Sequence, residues 1–203
     1  PGARGGVVTL APPARLGEAF FARPAAEVAP ALVGCTLLVE GAGGQIVETE
    51  RYEQDDPASH SHRGPRGRAR VMFGPPGRLY VYRSYGIHWC ANLVCAPEGR
   101  GEAVLIRALA PRAGVDVMRT RRGGVPDRLL CAGPGRLAQA LGLSGVHDGA
   151  PVVGPDAVAE LFAREAEVEV VSGPRIGISK ALDRPWRYMA AGSAHLSRPA
   201  VLS

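Results

Sequence analysis

The run Val47-Glu48-Thr49-Glu50-Arg51-Tyr52 sets two carboxylates two positions apart and follows them at once with an arginine and a tyrosine. In an extended strand successive side chains point to opposite faces, so Glu48 and Glu50 share one face and Thr49 and Arg51 the other. Taken alone, such a pair at a strand's end reads first as a solvated edge. The second reading is the acidic part of a site. A further segment, Leu79 to Asn92, holds Tyr80, Tyr82, Tyr85 and Trp89, four of the chain's eleven aromatic residues. Tyr80 and Tyr82 share a strand face, whereas Tyr85 falls where the chain must turn. It is either a partly exposed turn residue or a wedge that enters a base stack and fills the gap left by an extruded nucleotide.

Absences narrow the chemistry. Lys180 is the only lysine among 24 basic residues, so a Schiff-base mechanism has one side-chain candidate, placed far along the chain from the acids. Pro1 is the other amine available for one. The H-x-E with P-C-x-x-C pattern of zinc deaminases is missing, as is the phosphate loop of NTPases. Cys35, Cys90, Cys95 and Cys131 form no C-x-x-C pair and lack histidines at zinc-finger spacing, so they read as buried free thiols with no metal. That usage fits a reducing cytoplasm.

The net charge of +5 suits a polyanionic partner only weakly, because the arginine excess accompanies 27 Gly and 18 Pro and looks partly compositional. Clustering says more: Arg63, Arg66, Arg68 and Arg70 fall within eight residues of a polar stretch, Gln54 to Arg70, that has no apolar period. No apolar run approaches the roughly 18–20 residues that cross a bilayer, and the first residues carry no signal-peptide pattern.

The elements that must hold these residues are short. Residues 1–15 read as a loose arm and 16–203 as one domain. Apolar spacing predicts helices over Glu18–Phe21, Ala25–Leu32, Ala113–Arg121 and Gly135–Leu141, the last after the breaker Gly133-Pro134. Strands are expected over Thr36–Glu40 and Gln45–Glu50 around a Gly41–Gly44 turn. Others are expected over Arg78–Ser84, His88–Val94, Ala103–Leu109, Glu167–Val171 and Arg175–Ile178. There is no βαβ alternation and no repeat. The pattern predicts an α+β single mixed domain.

Several ordered motifs give the chain a resemblance. Val47-Glu48-Thr49-Glu50-x-Tyr52, Asp56-Pro57-Ala58-Ser59-His60, Arg70-Val71-Met72-Phe73, Leu79-Tyr80-Val81-Tyr82 with Tyr85-Gly86, Cys90-x-Asn92 and Val104 to Leu109 follow one another. Leu130-Cys131-Ala132-Gly133-Pro134, Pro174 to Ile178 and Pro185-Trp186-Arg187 complete the series. The series resembles the alkyladenine (3-methyladenine, methylpurine) DNA glycosylases from about residue 18 onward. The resemblance implies a curved antiparallel sheet with flanking helices and a protruding β-hairpin, damaged duplex DNA as partner, and no cofactor or metal. The protein would act as a monomer in a bacterial-type cytoplasm, with the DNA.

The resemblance also implies roles. Glu50 is the base that deprotonates the attacking water, with Arg107 beside it. Tyr52 and Tyr82 wall the flipped base, His60 hydrogen-bonds its edge through the backbone amide, and Asn92 clashes with the amino group of undamaged guanine. Tyr85 is the minor-groove wedge, Met72 lies at the DNA face, and Arg66, Arg68, Arg70 and Arg83 meet the backbone or groove. The stretch between Tyr52 and His60 is one residue shorter than the family's. Arg66-Gly67-Arg68-Ala69-Arg70 replaces a run that contains asparagine, and Arg83-Ser84 replaces a more apolar pair. Hydrolysis of an N-glycosidic bond through an oxocarbenium-like sugar needs one carboxylate to orient and deprotonate water. Alkylated or deaminated purines would be the substrates. A catalytically silent lesion binder is the alternative, and a glycosylase-lyase using Pro1 or Lys180 a third reading.

Overall fold

The computed structural model of the protein describes residues 13–201. Helices α1 (Glu18–Phe21) and α2 (Ala25–Leu32) lead into strands β1 (Thr36–Val39) and β2 (Ala42–Tyr52). After a long connection come β3 (Leu79–Ser84), β4 (His88–Val94) and β5 (Ala103–Ala113). Helices α3 (Val115–Arg122) and α4 (Pro134–Leu141) follow, then β6 (Glu160–Phe162), β7 (Val170–Gly173) and β8 (Arg187–Ala190). The strands form one curled antiparallel sheet in the order β3-β4-β5-β2-β1-β6, with β8 also joined to β2 and β7 joined to β8. The fold is α+β, a single mixed domain, and the β3–β4 hairpin protrudes from it.

β2 organises the sheet. One edge pairs with β5 over most of its length; the other is shared between β1 at Ala42–Gln45 and β8 at Glu48–Glu50. Glu48 and Glu50 therefore sit mid-sheet with 0% exposure, which overturns the solvated-edge reading. Register shifts against β5 fall between Ile46 and Glu48 and again between Glu48 and Thr49. Such bulges re-aim side chains. Here Thr49 turns to α2 and donates its hydroxyl to the Ala29 carbonyl at 2.9 Å, while both acids reach Arg107 of β5.

The β1–β2 turn differs from expectation. It is Glu40-Gly41, with φ of 49° and 75°, and the strand resumes at Ala42. Two left-handed residues give the turn whose twist matches its flanking strands. Gly43 and Gly44 lie inside β2, where a Cβ would stand 1.9 Å from the Leu37 carbonyl oxygen and 2.0 Å from that of Ala110. They are glycine because neighbouring backbones press too close for a side chain.

Buried faces of the helices close the core. α2 contributes Val28, Ala29 and Leu32, α4 contributes Leu137, Ala138 and Leu141, and Met118 comes from α3. Pro134 opens α4 where its missing N–H costs nothing, and left-handed Gly142 ends it. All four cysteines are buried and free. The polar stretch after β2 is not irregular throughout: it winds two 3-10 turns, His60–Arg63 and Gly67–Phe73, over a small apolar cluster of Met72, Tyr80, Val94 and Ala103.

The chain's start and its late strands remain to be placed. The arm expected for residues 1–15 lies, over 1–12 and with Pro1, outside the described residues, while Ala14 and Arg15 contact β6. The Ala163 N–H donates to the Ala14 carbonyl at 2.8 Å, and Arg15 bridges to Phe162. Arg175–Ile178 is not a strand, and β7 begins at Val170. β6 and β8, three and four residues long, were not foreseen because so short a run shows no usable alternation.

Candidate active site

Glu50 is enclosed by two hydrogen-bond donors and one cation from three parts of the chain. Tyr52, two residues along β2, gives its hydroxyl proton to Oε2 at 2.9 Å. Arg107 Nη1 stands 3.3 Å from the same oxygen, and the Ile176 backbone N–H donates to Oε1 at 2.7 Å. Burial, the strongest influence, pushes the Glu50 carboxyl up, and Arg107, Ile176 and Tyr52 only partly offset it, so the group stays above its usual 4.5. Glu48, on the same face, behaves oppositely. Burial pushes it up too, but Arg107, the Ser197 N–H and hydroxyl, and Arg187 together hold it below 4.5. The two buried carboxylates thus differ in setting: Glu48 is held by two guanidinium groups and Ser197, whereas Glu50 has fewer compensating partners and is raised above its ordinary value.

A cavity of about 670 Å³ opens above this cluster, and Tyr52, Arg107 and Ile176, the three groups that meet Glu50, all line it. Its size falls within the roughly 300–1,000 Å³ of small-molecule sites. Glu50 itself has no exposed surface and does not line the cavity; it lies behind these three residues. Tyr82 lines the wall and stacks on buried Tyr80, with centroids 5.4 Å apart and planes 30° from parallel. His60 meets Tyr82 edge-on at 4.6 Å and bonds the Tyr80 hydroxyl through Nδ1 at 2.8 Å. Burial, then nearby Arg68, lowers the His60 pKa below 6.5, so the imidazole is neutral at pH 7. Asn92 points its amide nitrogen to the Tyr80 carbonyl at 2.9 Å, which fixes the rotation of its side chain in the cavity.

The hairpin tip reaches the same cavity. Tyr85, with a left-handed φ of 49° and 86% exposure, lines its rim beside Gly86. A side chain this large, apolar and exposed at a tight turn has no core to serve. Arg66, Arg68, Arg70 and Arg83 are exposed, and Arg68 and Arg83 line the cavity as well.

The model of the methylpurine-DNA glycosylase family matches residues 19–194. The chain belongs to this family. A curated relative from Nitrobacter winogradskyi, named "Putative 3-methyladenine DNA glycosylase", is 57% identical over 184 residues, 91% of this chain and 88% of its own. Relatives with the same name from Rhodopseudomonas palustris strain BisB5 and Nitrosospira multiformis are 55% and 56% identical. They cover 97% and 88% of this chain, and 98% and 92% of their own lengths.

Most residues that the glycosylase resemblance singled out converge on one cavity: Tyr52, His60, Tyr82, Asn92 and Arg107 line it with Tyr85, and Glu50 sits behind its lining. Met72 lines the cavity too, from the second 3-10 turn: it is only 2% exposed and packs against Tyr80, Val94 and Ala103, so it contributes to the cavity wall rather than to the outer surface. Lys180 departs. Expected far from the acids, it lines the cavity, because residues 176–180 form part of its wall. Sequence distance hid this, since the chain returns across the sheet only after β7.

Several residues of the site had no assigned role in the sequence. Glu48 accepts from Arg107 Nε, Arg187 Nε and the Ser197 hydroxyl, each at 2.7 Å, and from the Ser197 N–H at 2.6 Å. Asp56 and Arg175 form an ion pair with no exposed side-chain surface. Both belong to motifs of the resemblance, yet charged side chains give no periodic signal that separates an interior pair from a surface one. The Ile176 N–H is a backbone group, and residue type carries no trace of it.

Proposed function

We propose that this protein is a monofunctional DNA glycosylase of base excision repair that flips an alkylated or deaminated purine out of duplex DNA and hydrolyses its glycosidic bond. One observation carries the proposal: the wedge-like Tyr85 and the groups that surround Glu50 line a single cavity. An ionised carboxylate offers about four lone-pair positions, and Glu50 accepts two hydrogen bonds, from Tyr52 and the Ile176 N–H, with Arg107 at ion-pair distance, so its accepting capacity is not exhausted and a water brought in with the substrate is the further donor. Glu50 deprotonates that water as the sugar becomes oxocarbenium-like, and its raised pKa makes it a stronger base than an exposed carboxylate. Arg107, charged and bonded to both acids, keeps the Glu50 side chain in place.

Tyr52 and Tyr82 hold the flipped base between aromatic faces. A cationic alkylpurine gains roughly 0.5–2 kcal/mol there. That is too little to reject normal bases, so weak pairing of the lesion and exclusion by Asn92 supply the remaining selectivity. The exposed arginines hold backbone phosphates on either side. A lyase step through Lys180 is not part of this reading. That side chain is exposed, whereas Schiff-base lysines are desolvated in apolar pockets or set beside a second cation.

The test is single-turnover excision from duplexes carrying hypoxanthine, ethenoadenine or a methylated purine. Wild-type protein releases base, and Glu50→Gln loses release while it still binds the lesion duplex. Normal turnover by Glu50→Gln would remove Glu50 from the mechanism. Tight binding without release of any base by the wild type would leave a silent lesion binder.

A further inference from the structure

Against the Tyr52 ring, and not itself lining the cavity, lies a second buried ion pair. Arg175 bonds both oxygens of Asp56, through Nη1 to Oδ2 and through Nη2 to Oδ1 at 3.1 Å, and Nη1 also donates to the Arg51 carbonyl at 3.1 Å. Its guanidinium stands 4.7 Å from the ring centroid of Tyr52 and 5.1 Å from that of Trp186. Tyr52 lines the cavity and Arg175 does not, so the tyrosine wall has the cavity on one side and the guanidinium behind it. The residue after Arg175 is Ile176, whose N–H meets Glu50 at 2.7 Å. One rigid fork therefore ties together the end of β2, the loop at Asp56 and the backbone that faces Glu50.

Stability does not account for this arrangement. A buried ion pair is often no more stabilising than an apolar pair of equal volume, and Arg175 Nε is buried without a hydrogen-bond partner, a further cost. What a planar, bidentate guanidinium provides is fixed geometry.

We infer that Arg175, oriented by Asp56, is the positioning residue of the reaction: it sets the Ile176 N–H on Glu50 and holds the Tyr52 wall against the base. The inference rests on the reading of Glu50 as the base. Without the fork, Ile176 no longer donates steadily to the ionised form of Glu50. Its pKa then rises further, and the acid limb of the rate profile moves to higher pH. Binding changes less, because Tyr82, Tyr85 and the arginines are untouched.

The experiment is single-turnover excision of hypoxanthine from pH 5 to 9, with the lesion Kd taken from the enzyme-concentration dependence and folding followed by circular dichroism. Wild type is compared with Arg175→Lys and with the double variant Asp56→Asn/Arg175→Gln, which buries no unpaired charge. The expected result for the double variant is a maximal rate lower by about 10–100-fold, a Kd within a few-fold, and an acid limb shifted upward. Arg175→Lys, which keeps the charge but not the fork, falls between. Folded variants with an unmoved acid limb and a rate within about twofold of wild type would overturn the inference. So would failure of both variants to fold at 25 °C, which would make the pair a stability element. Glu50→Gln is run alongside. If it is inactive while the double variant is unaffected, only the positioning role fails; if it turns over normally, the reading of Glu50 fails first.

Discussion

Glu48 and Glu50 stand two residues apart on one strand, both with 0% exposure, yet the structure predicts opposite responses to the same substitution. In Glu48→Gln an amide replaces a carboxylate that accepts from two guanidinium groups and twice from Ser197. Arg107 keeps Glu50 at 3.3 Å, but Arg187, 2% exposed, keeps only the carbonyls of Arg198 and Pro199. Leaving one member of a buried pair uncompensated costs about 3–5 kcal/mol. In a chain of this length each kcal/mol moves Tm by about 2–4 °C, so a fall of about 6–20 °C is expected at pH 7. The sign with pH follows from the shift. Glu48 is held below 4.5 in the folded state, so its contribution is present above that value and is lost as pH falls through the folded pKa. The Tm gap between wild type and Glu48→Gln therefore narrows in acid. Glu50 is raised, so its favourable contribution exists below 4.5 and is lost as pH climbs through the folded value. Glu50→Gln therefore gives up no stabilisation that the carboxylate form supplied, and Tm stays level or rises. Thermal unfolding followed by circular dichroism at pH 7 and pH 4 tests both. A Glu48→Gln Tm within 2 °C of wild type at pH 7, or an equal fall in Glu50→Gln, would refute the division of labour.

Other outcomes follow from the same geometry. Excision by the wild type should lose activity on the acid side at a pH above 4.5, because the base must be ionised and its pKa is raised; a limb at or below 4.5 would contradict this. Tyr85→Ala should weaken binding to lesion duplex strongly while leaving Tm nearly unchanged, since the ring is 86% exposed; a large Tm loss would show a packing role instead. Arg66→Ala and Arg68→Ala should each reduce the slope of log K against log salt by about 0.9 if each arginine meets one phosphate. Unchanged slopes in titrations with undamaged duplex would remove them from the backbone. Borohydride should trap no covalent adduct between wild-type protein and the abasic product, and a trapped species lost in Lys180→Ala would establish a lyase step.

Local pattern alone settled much of this protein. α1 and α2 match their predicted residues, because apolar spacing marks the buried face of each helix. The β3–β4 hairpin and its Tyr85-Gly86 tip were also legible, because alternating strands around a glycine leave the chain few ways to turn. The family could be read from ordered motifs, and with it the fold. Tertiary structure decided the rest, since it depends on neighbours distant in sequence. Alternation placed Glu48 and Glu50 on one face but could not say that β5 and β8 would flank β2 and bury both acids in the middle of the sheet. Nor could it separate their tasks, which depend on Arg187 and Ser197 reaching one acid and the Ile176 N–H the other. The place of Lys180 at the cavity was hidden for the same reason: whether a side chain faces a cavity depends on which segments fold over it. The residue types of the site are written in the sequence; which carboxylate is free to act is set by where the chain brings its arginines.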